Sequence, residues 1–286
     1  MPRTTSHRTI VITGASDGIG AAAARQLHAH GHRVVIVGRS PQKTQAVARE
    51  LGTDFHVADF ARLDDVRELA ADLNASYPSI DVLANNAGGI FGDRVKTVDG
   101  FEKTFQVNHL APFLLTQLLM DRLVASRASV IQTSSVGARL AGRLVIDDLD
   151  HDKDFTPLLA YGTTKLENIL FTKELHVRFH DHGISSAAFH PGTVATGFAT
   201  DSDSILRHIS RSRIARAFMT SPEKAAGQLV WLAETTPGKD WQSGVYYEKR
   251  KPARRNDKQA KDAALARELW NRSELLLAST GPTPRA

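Results

Sequence analysis

The chain contains no cysteine, which removes disulfides, thiolate metal sites and a cysteine nucleophile from consideration. It also lacks any apolar run near the roughly 20 residues that a membrane-crossing helix needs. Met1 to Arg8 is polar and basic, without the apolar centre of a signal peptide. A soluble, cytoplasmic protein is the expectation. Neither sign of charge dominates: 36 Lys and Arg against 31 Asp and Glu leave +5. There is no His/Asp/Glu cluster with metal-ligand spacing, so no metal is expected. There is no internal repeat and no Pro- or Ser-rich linker before the C-terminal tail. What remains is ordinary globular composition, 42% hydrophobic with 20 Gly and 11 Pro over 286 residues. Such a chain can bury a large core unaided, as one large domain or two small ones.

Apolar, β-rich runs alternate with helix-like stretches from the start. Strands are expected at Thr9–Thr13, Arg33–Gly38, Thr53–Ala58, Asp81–Asn85, Val130–Thr133 and Ile184–Phe189. Helices are expected at Gly18–His30, at Pro41–Leu51, at Asp64–Tyr77 behind Asp caps, near Phe101–Ala125 and near Tyr161–His180. Continuous apolar strands separated by helices mean a parallel sheet covered on both faces. The fold class is α/β, a doubly wound (Rossmann) parallel sheet in a single domain. Residues 1–248 would form the dinucleotide-binding catalytic domain. Residues 249–286 would form a basic connector and a C-terminal amphipathic helix, Asp257–Leu277.

The first strand runs into Gly14-Ala15-Ser16-Asp17-Gly18-Ile19-Gly20 and then a helix. Glycines allow a tight turn and close backbone approach, and the helix N-terminus offers N–H groups and a positive dipole end to a pyrophosphate. The spacing is G-x-x-x-G-x-G rather than G-x-G-x-x-G. The second strand ends at Gly38, followed by Arg39 where an acidic residue would accept ribose hydroxyls. A guanidinium suits a 2′-phosphate, so NADP(H) is favoured over NAD(H). Asp17 places a negative charge in the turn, making this a preference.

Tyr161 and Lys165 stand four apart at the expected start of a helix, hence on one face. A nearby ammonium would lower the tyrosine pKa towards working pH, where a general acid is most useful. Three further groups fall at expected strand ends: Asn85-Asn86-Ala87-Gly88, Thr133-Ser134-Ser135, and His190 through Thr196. Val107-Asn108-His109 lies in the expected long helix. In open α/β sheets the ligand crevice lies beyond the carboxyl ends of the strands, so these groups converge. Pro112 has no N–H to return to the Asn108 carbonyl, which frees that oxygen for a water or merely kinks the helix.

This set resembles the classical short-chain dehydrogenase/reductase family, from about Thr9 to Tyr247. The runs Val107-Asn108-His109-Leu110, YGTTKLENILF from Tyr161, and His190-Pro191-Gly192 look most like its retinol dehydrogenase-like branch. The resemblance implies Tyr161 as the acid/base. Ser135 would polarise the carbonyl, with Ser134 its rival. Lys165 would hold the nicotinamide ribose, and Asn108 would complete a proton relay. It further implies cofactor contacts from Gly14, Ser16, Asp17, Gly18, Ile19, Gly20, Arg39, Asp59 (at the adenine), Asn86, Pro191, Gly192, Val194 and Thr196, as well as Tyr161 and Lys165. Asn85 and His190 read as structural.

Ser135 and Tyr161 are 26 apart, longer than in most such chains. The acidic stretch Asp147–Asp154 between them is expected to loop near the site mouth. Residues 198–219 would cap a small, lipophilic aldehyde, ketone or alcohol. Their arginines read as solvated decoration, or as recognition of an anionic substrate. A homo-oligomer is plausible by the same resemblance. The rivals are a catalytically silent NADP(H)-binding sensor or scaffold, and a nucleic-acid module built on Lys249–Arg255. That basic cluster has no aromatic interleaving and reads as a solvated segment; no nucleic-acid partner is expected.

Overall fold

A computed structural model of the chain describes residues 7–192, 220–255 and 257–281. The strands are β1 (Thr9–Thr13), β2 (Arg33–Gly38), β3 (Phe55–Val57), β4 (Val82–Asn85), β5 (Ser129–Thr133), β6 (Ser185–His190), β7 (Val245–Glu248) and β8 (Lys251–Pro252). They form one sheet in the order β3-β2-β1-β4-β5-β6-β7-β8. Neighbours are parallel except for the last pair. The order runs outward in both directions from β1 and β4, which is the doubly wound arrangement. Alternate strand residues feed opposite faces: Ile10, Ile12 and Ile131 join one core, Val11, Leu83 and Val130 the other.

One face carries α1 (Gly18–Ala29), α2 (Pro41–Leu51) and α9 (Pro222–Glu234). The alanines of α1 let it lie close to the strands, with Ala21, Ala22, Ala23 and Ala24 all buried. The other face carries α3 (Leu63–Ser76), α5 (Ala111–Leu118), α8 (Pro157–Phe179) and α10 (Ala263–Ala278). Shorter helices include α6 (Met120–Ala125) and α7 (Gly137–Leu140). No described helix is long and apolar enough to cross a membrane.

Several sequence expectations are corrected. The third strand shortens to three residues. The expected long helix near Phe101–Ala125 is broken into α4 (Lys103–Phe105), a π turn (Gln106–Leu110), α5 and α6. The Ala111 N–H reaches back to Gln106, and Pro112 can serve neither the π partner Val107 nor the α partner Asn108. Helix α8 begins one turn before Tyr161, capped by the Thr156 hydroxyl on the Leu159 N–H at 3.1 Å. Helix α3 is not capped by its own aspartates. Asp99, from a distant loop, accepts the Leu63 N–H at 2.9 Å.

The basic run after β7 is where the sheet adds its last strand. Lys249 and Arg250 adopt positive φ of 51° and 60° and turn the chain into the antiparallel β8. The C-terminal helix starts at Ala263, capped by Asp262. It docks on its own chain: Trp270 packs against Phe113 and Phe171 at ring separations of 4.9 and 5.6 Å.

Helix α8 buries one group at a cost. Glu167 is fully buried, and neither carboxylate oxygen has a partner. Burial, with the like charge of Glu102, holds its carboxyl well above the usual range. The group holds its proton to higher pH when folded than when unfolded. Folding therefore takes up a proton, and stability falls as pH rises above about 4.5. Glu167→Gln should leave melting temperature nearly unchanged at pH 4.5 and raise it at pH 8, by about 2–4 °C for each kcal/mol gained. Thermal melts across that range check this; equal shifts at both ends would refute it.

Candidate active site

The carboxyl edge of the sheet opens onto a cleft with a free volume of about 230 Å³. Gly14 and Ser16 after β1, Gly38 at the end of β2 with Arg39 after it, Asp59 after β3, and Ala87 to Phe91 after β4 line it. Gly14 takes φ +65°, and a Cβ there would stand 2.8 Å from the Ala87 backbone. Gly20 lies so close beneath the turn that a Cβ would meet the Gly14 carbonyl at 2.3 Å. Only glycine permits either approach. The result is a backbone cradle at the start of α1, open to a phosphate-bearing group.

Asp17 caps α1 by accepting the Gly18 N–H at 2.7 Å and pairs with Lys43 at 3.0 Å. Lys43 holds its carboxyl below the usual range, so the negative charge in the turn is largely answered on the protein. Ile19 is buried in the core. Asp59 lies in the cleft wall, and its carboxylate also accepts the Ala61 N–H at 3.0 Å. Asn86 is turned away from the cleft: its amide donates to the Thr13 and Gly14 carbonyls at 3.0 and 3.3 Å. It braces the turn from below. Asn85 donates to Thr116 at 3.1 Å in the helix layer. Lys103, Phe60 and Phe91 also line the cleft. Sequence reasoning missed them because they come from loops and a broken helix; the Lys103 ammonium lies 4.6 Å from the Phe91 ring centroid.

Beyond β5 the two serines separate cleanly. Ser134 is buried, and its hydroxyl donates to the Lys165 carbonyl at 2.7 Å. Ser135 is half-buried beside the Tyr161 phenol, and its hydroxyl accepts the Gly137 N–H at 3.1 Å. Gly137 lets the Tyr161 ring lie close by: a Cβ there would stand 3.2 Å from Cε1 and 3.4 Å from the Ser135 hydroxyl. Lys165 is buried beneath them with Nζ 5.5 Å from the Tyr161 ring centroid and 3.1 Å from the Thr133 carbonyl, to which it donates. Asn108 closes the far side. Its side chain accepts the Gly89 N–H at 2.9 Å and donates to the Gly89 carbonyl and the Thr164 hydroxyl.

The electrostatics correct one expectation. Burial raises the Tyr161 phenol above its usual 10, and the Ser135 hydrogen bond offsets this only in part. The Lys165 ammonium donates instead to the Thr133 carbonyl. Burial brings Lys165 itself down to about 8. Burial pushes the His190 imidazole below its usual range, and the Val136 N–H donates to its Nδ1 at 3.3 Å. Gly192 takes φ +95° next to Thr220, just after Pro191. Val194, Thr196 and the expected cap at 198–219 lie outside the described residues. The acidic stretch is tied down by partners: Lys96 to Asp150 at 3.2 Å, Arg94 to Asp152, and Arg143 to Asp154 at 2.6 Å. No group of three or more His, Asp or Glu that could hold a metal occurs among the described residues.

Comparison with known proteins agrees with this geometry. The family model described as short chain dehydrogenase matches residues 8–205. A Streptomyces sp. (strain C5) protein assigned as daunorubicin C-13 ketoreductase is 43% identical, over 97% of this chain and 94% of its own. Human retinol dehydrogenase 13 is 34% identical, over 97% of this chain and 87% of its own. A crystal structure of an uncharacterised Mycobacterium paratuberculosis protein superposes with a TM-score of 0.76 at 32% identity, covering 96% and 95% of the two chains.

The phenol chemistry is directly measurable. In the ligand-free protein, ultraviolet difference titration against Tyr161→Phe should place Tyr161 ionisation above pH 10, and Ser135→Ala should raise it further. A midpoint below 10 would mean that Lys165 already governs the phenol.

Proposed function

The chain belongs to the short-chain dehydrogenase/reductase family, alongside its retinol dehydrogenase-like members, and from that premise we propose that it is an NADP(H)-dependent reductase or dehydrogenase of lipophilic carbonyl or alcohol compounds. The family's enzymes are oxidoreductases that bind a nicotinamide dinucleotide, and the glycine cradle fits one. When bound, the dinucleotide supplies or accepts the hydride. The Gly14–Gly20 turn and the start of α1 would hold its pyrophosphate. Asp59 would stand at the adenine and Arg39 at the 2′-phosphate, with charge and bidentate geometry favouring the phosphorylated form.

The observation that carries the reading is the Ser135–Tyr161 hydroxyl pair at the carboxyl edge of the sheet, with Lys165 buried behind it. Ser135 would donate to the substrate oxygen, and Tyr161 would pass it a proton. Lys165, turned towards a bound ribose and the phenol, would lower the tyrosine from its raised ligand-free value. Asn108 would support the proton path at the π turn. Substrate polarity is read from exposed apolar side chains on the helices that carry Tyr161 and follow Ser135. Leu158 shares the Tyr161 face of α8, three residues away, and Leu140 ends the helix that follows Ser135; both are largely exposed. Two large exposed apolar side chains on these helices suit an apolar carbonyl compound. The relatives' names, a ketoreductase and a retinol dehydrogenase, point to the same bond type.

Nicotinamide absorbance with NADPH and NADH, across apolar aldehydes and ketones, tests this. NADPH should be preferred, and Arg39→Ala should erode that preference. Tyr161→Phe and Ser135→Ala should each lose at least about 100-fold in turnover. Ser134→Ala should keep most of it, since that hydroxyl faces the α8 backbone. Tight NADPH binding without turnover would favour a sensor, and binding of neither nucleotide would refute the reading at the Gly14 turn.

A further inference from the structure

Behind the site, a line of buried polar side chains runs from the C-terminal helix to the carbonyl that holds Lys165, and the proposed chemistry uses none of it. Ser273 on α10 is fully buried, with its hydroxyl 3.0 Å from Nε2 of His109. His109, on the π turn, is 1% exposed and packed among the rings of Phe105, Phe113 and Phe171. On its other side lies the Asn168 side chain. The Asn168 amide donates to the Thr133 carbonyl at 3.3 Å, and Lys165 Nζ donates to the same oxygen at 3.1 Å.

Burial this complete makes the proton count decisive. Desolvation holds His109 down to about 3, so the imidazole is neutral and carries one proton. Ser273 also has one. If Ser273 donates back to the Leu269 carbonyl, 2.8 Å away, the imidazole proton must sit on Nε2. His109 Nδ1 and Asn168 Oδ1 are then both buried without a partner. If Ser273 donates to Nε2 instead, the proton moves to Nδ1, on the side of the ring where Asn168 lies, and Asn168 Oδ1 can accept it. Two buried atoms are satisfied, and only one extra bond to a helix carbonyl is lost. With its oxygen fixed on His109, Asn168 must turn its NH2 towards Thr133. Every donor in the line then points at the active site.

We propose that Asn168 is a positioning residue for Lys165: locked in orientation by the His109–Ser273 pair, it occupies one lone pair of the Thr133 carbonyl and so loosens that carbonyl's hold on the lysine. The proposal rests on the reading that Lys165 must leave this oxygen to serve the nucleotide and the phenol. Two donors on one acceptor each bind less strongly than one alone. The neighbours of Lys165 do not compete for this role. Tyr161 is its titratable neighbour on α8, Asn108 from the π turn and Ser134 from β5 are uncharged, and Glu167 lies about 200° around the helix. Burial is the whole cause of the lysine's displacement, with no charge contributing.

Two measurements on the ligand-free protein test this without a substrate. Nitrogen NMR of His109 should show the proton on Nδ1; a proton on Nε2 overturns the proposal in the native chain. Carbon NMR titration of labelled lysine, with Lys165 assigned through Lys165→Met, should then be repeated in Asn168→Leu and His109→Phe. Asn168→Leu should raise the Lys165 midpoint by about half a unit or more, because Thr133 then gives itself wholly to the ammonium. His109→Phe keeps the ring stack and should move it the same way by less. The lysine-dependent limb of the kcat profile should follow, with the nucleotide KM little changed. A Lys165 midpoint that stays put in Asn168→Leu overturns the proposal even if turnover falls. A shifted midpoint in a protein that turns over nothing overturns the functional reading instead.

Discussion

Thr133 is where the two halves of the site are tied together. It is the last residue of β5, and a strand end is where a parallel sheet has backbone groups to spare. Its carbonyl accepts from Lys165 and Asn168 on α8. Its hydroxyl donates to Asn86 at 3.2 Å, and Asn86 in turn grips the Thr13 and Gly14 carbonyls. One residue thus links the lysine helix to the glycine turn, through contacts buried from water and so little screened. Moving β5 by an ångström would disturb both the cradle and the ammonium.

That tie sets what α8 must do. The helix is 23 residues long and buried along most of its length, against β5 and β6 on one side and α10 on another. Its Phe171 and Phe179 pack with Phe113 of α5 and Trp270 of α10, and its Arg178 lies over the indole at 4.9 Å. The C-terminal helix is therefore part of the wall that holds α8 down. A rigid α8 is what keeps Tyr161 beside Ser135, on an element other than the strand that carries the serine.

Much of this was legible in the sequence, for identifiable reasons. Strands such as Ile10–Ile12 and Val34–Val37 are buried on both faces, so their apolar runs are continuous and hard to mistake. The glycine turn is legible because its backbone demands exclude other residues. Ser135, Tyr161, Lys165 and Asn108 were named from spacing and resemblance, and the fold brings them to one edge. The failures share a cause. The break at Gln106–Leu110 is a change of hydrogen-bond register, which side-chain periodicity does not record, although Pro112 marked the spot. The cap of α3 comes from Asp99, 36 residues away, and no local pattern carries that. β7 and β8 are short and joined by Lys249 and Arg250 in a left-handed conformation that glycine or asparagine usually announces. The tyrosine's raised pKa comes from its burial, and spacing along a helix gives proximity to a lysine but not the depth of enclosure.

The same helix shows what burial does to charge. Lys165 and Glu167 are two residues apart, both enclosed, and both displaced towards neutrality. The lysine has an oxygen to hold its proton and keeps a pKa near working pH; the glutamate has no partner, and burial pushes its carboxyl well up. If enclosure served stability alone, an apolar residue would do better at either place. At Lys165 the cost coincides with a position beside the phenol, where an amine poised between two charge states is useful. At Glu167 no such neighbour is present, so its cost is a burden on the fold that no chemistry of the site offsets. A protein keeps such a residue when the rest of the core is sufficient, and here two apolar layers on one twisted sheet supply that sufficiency.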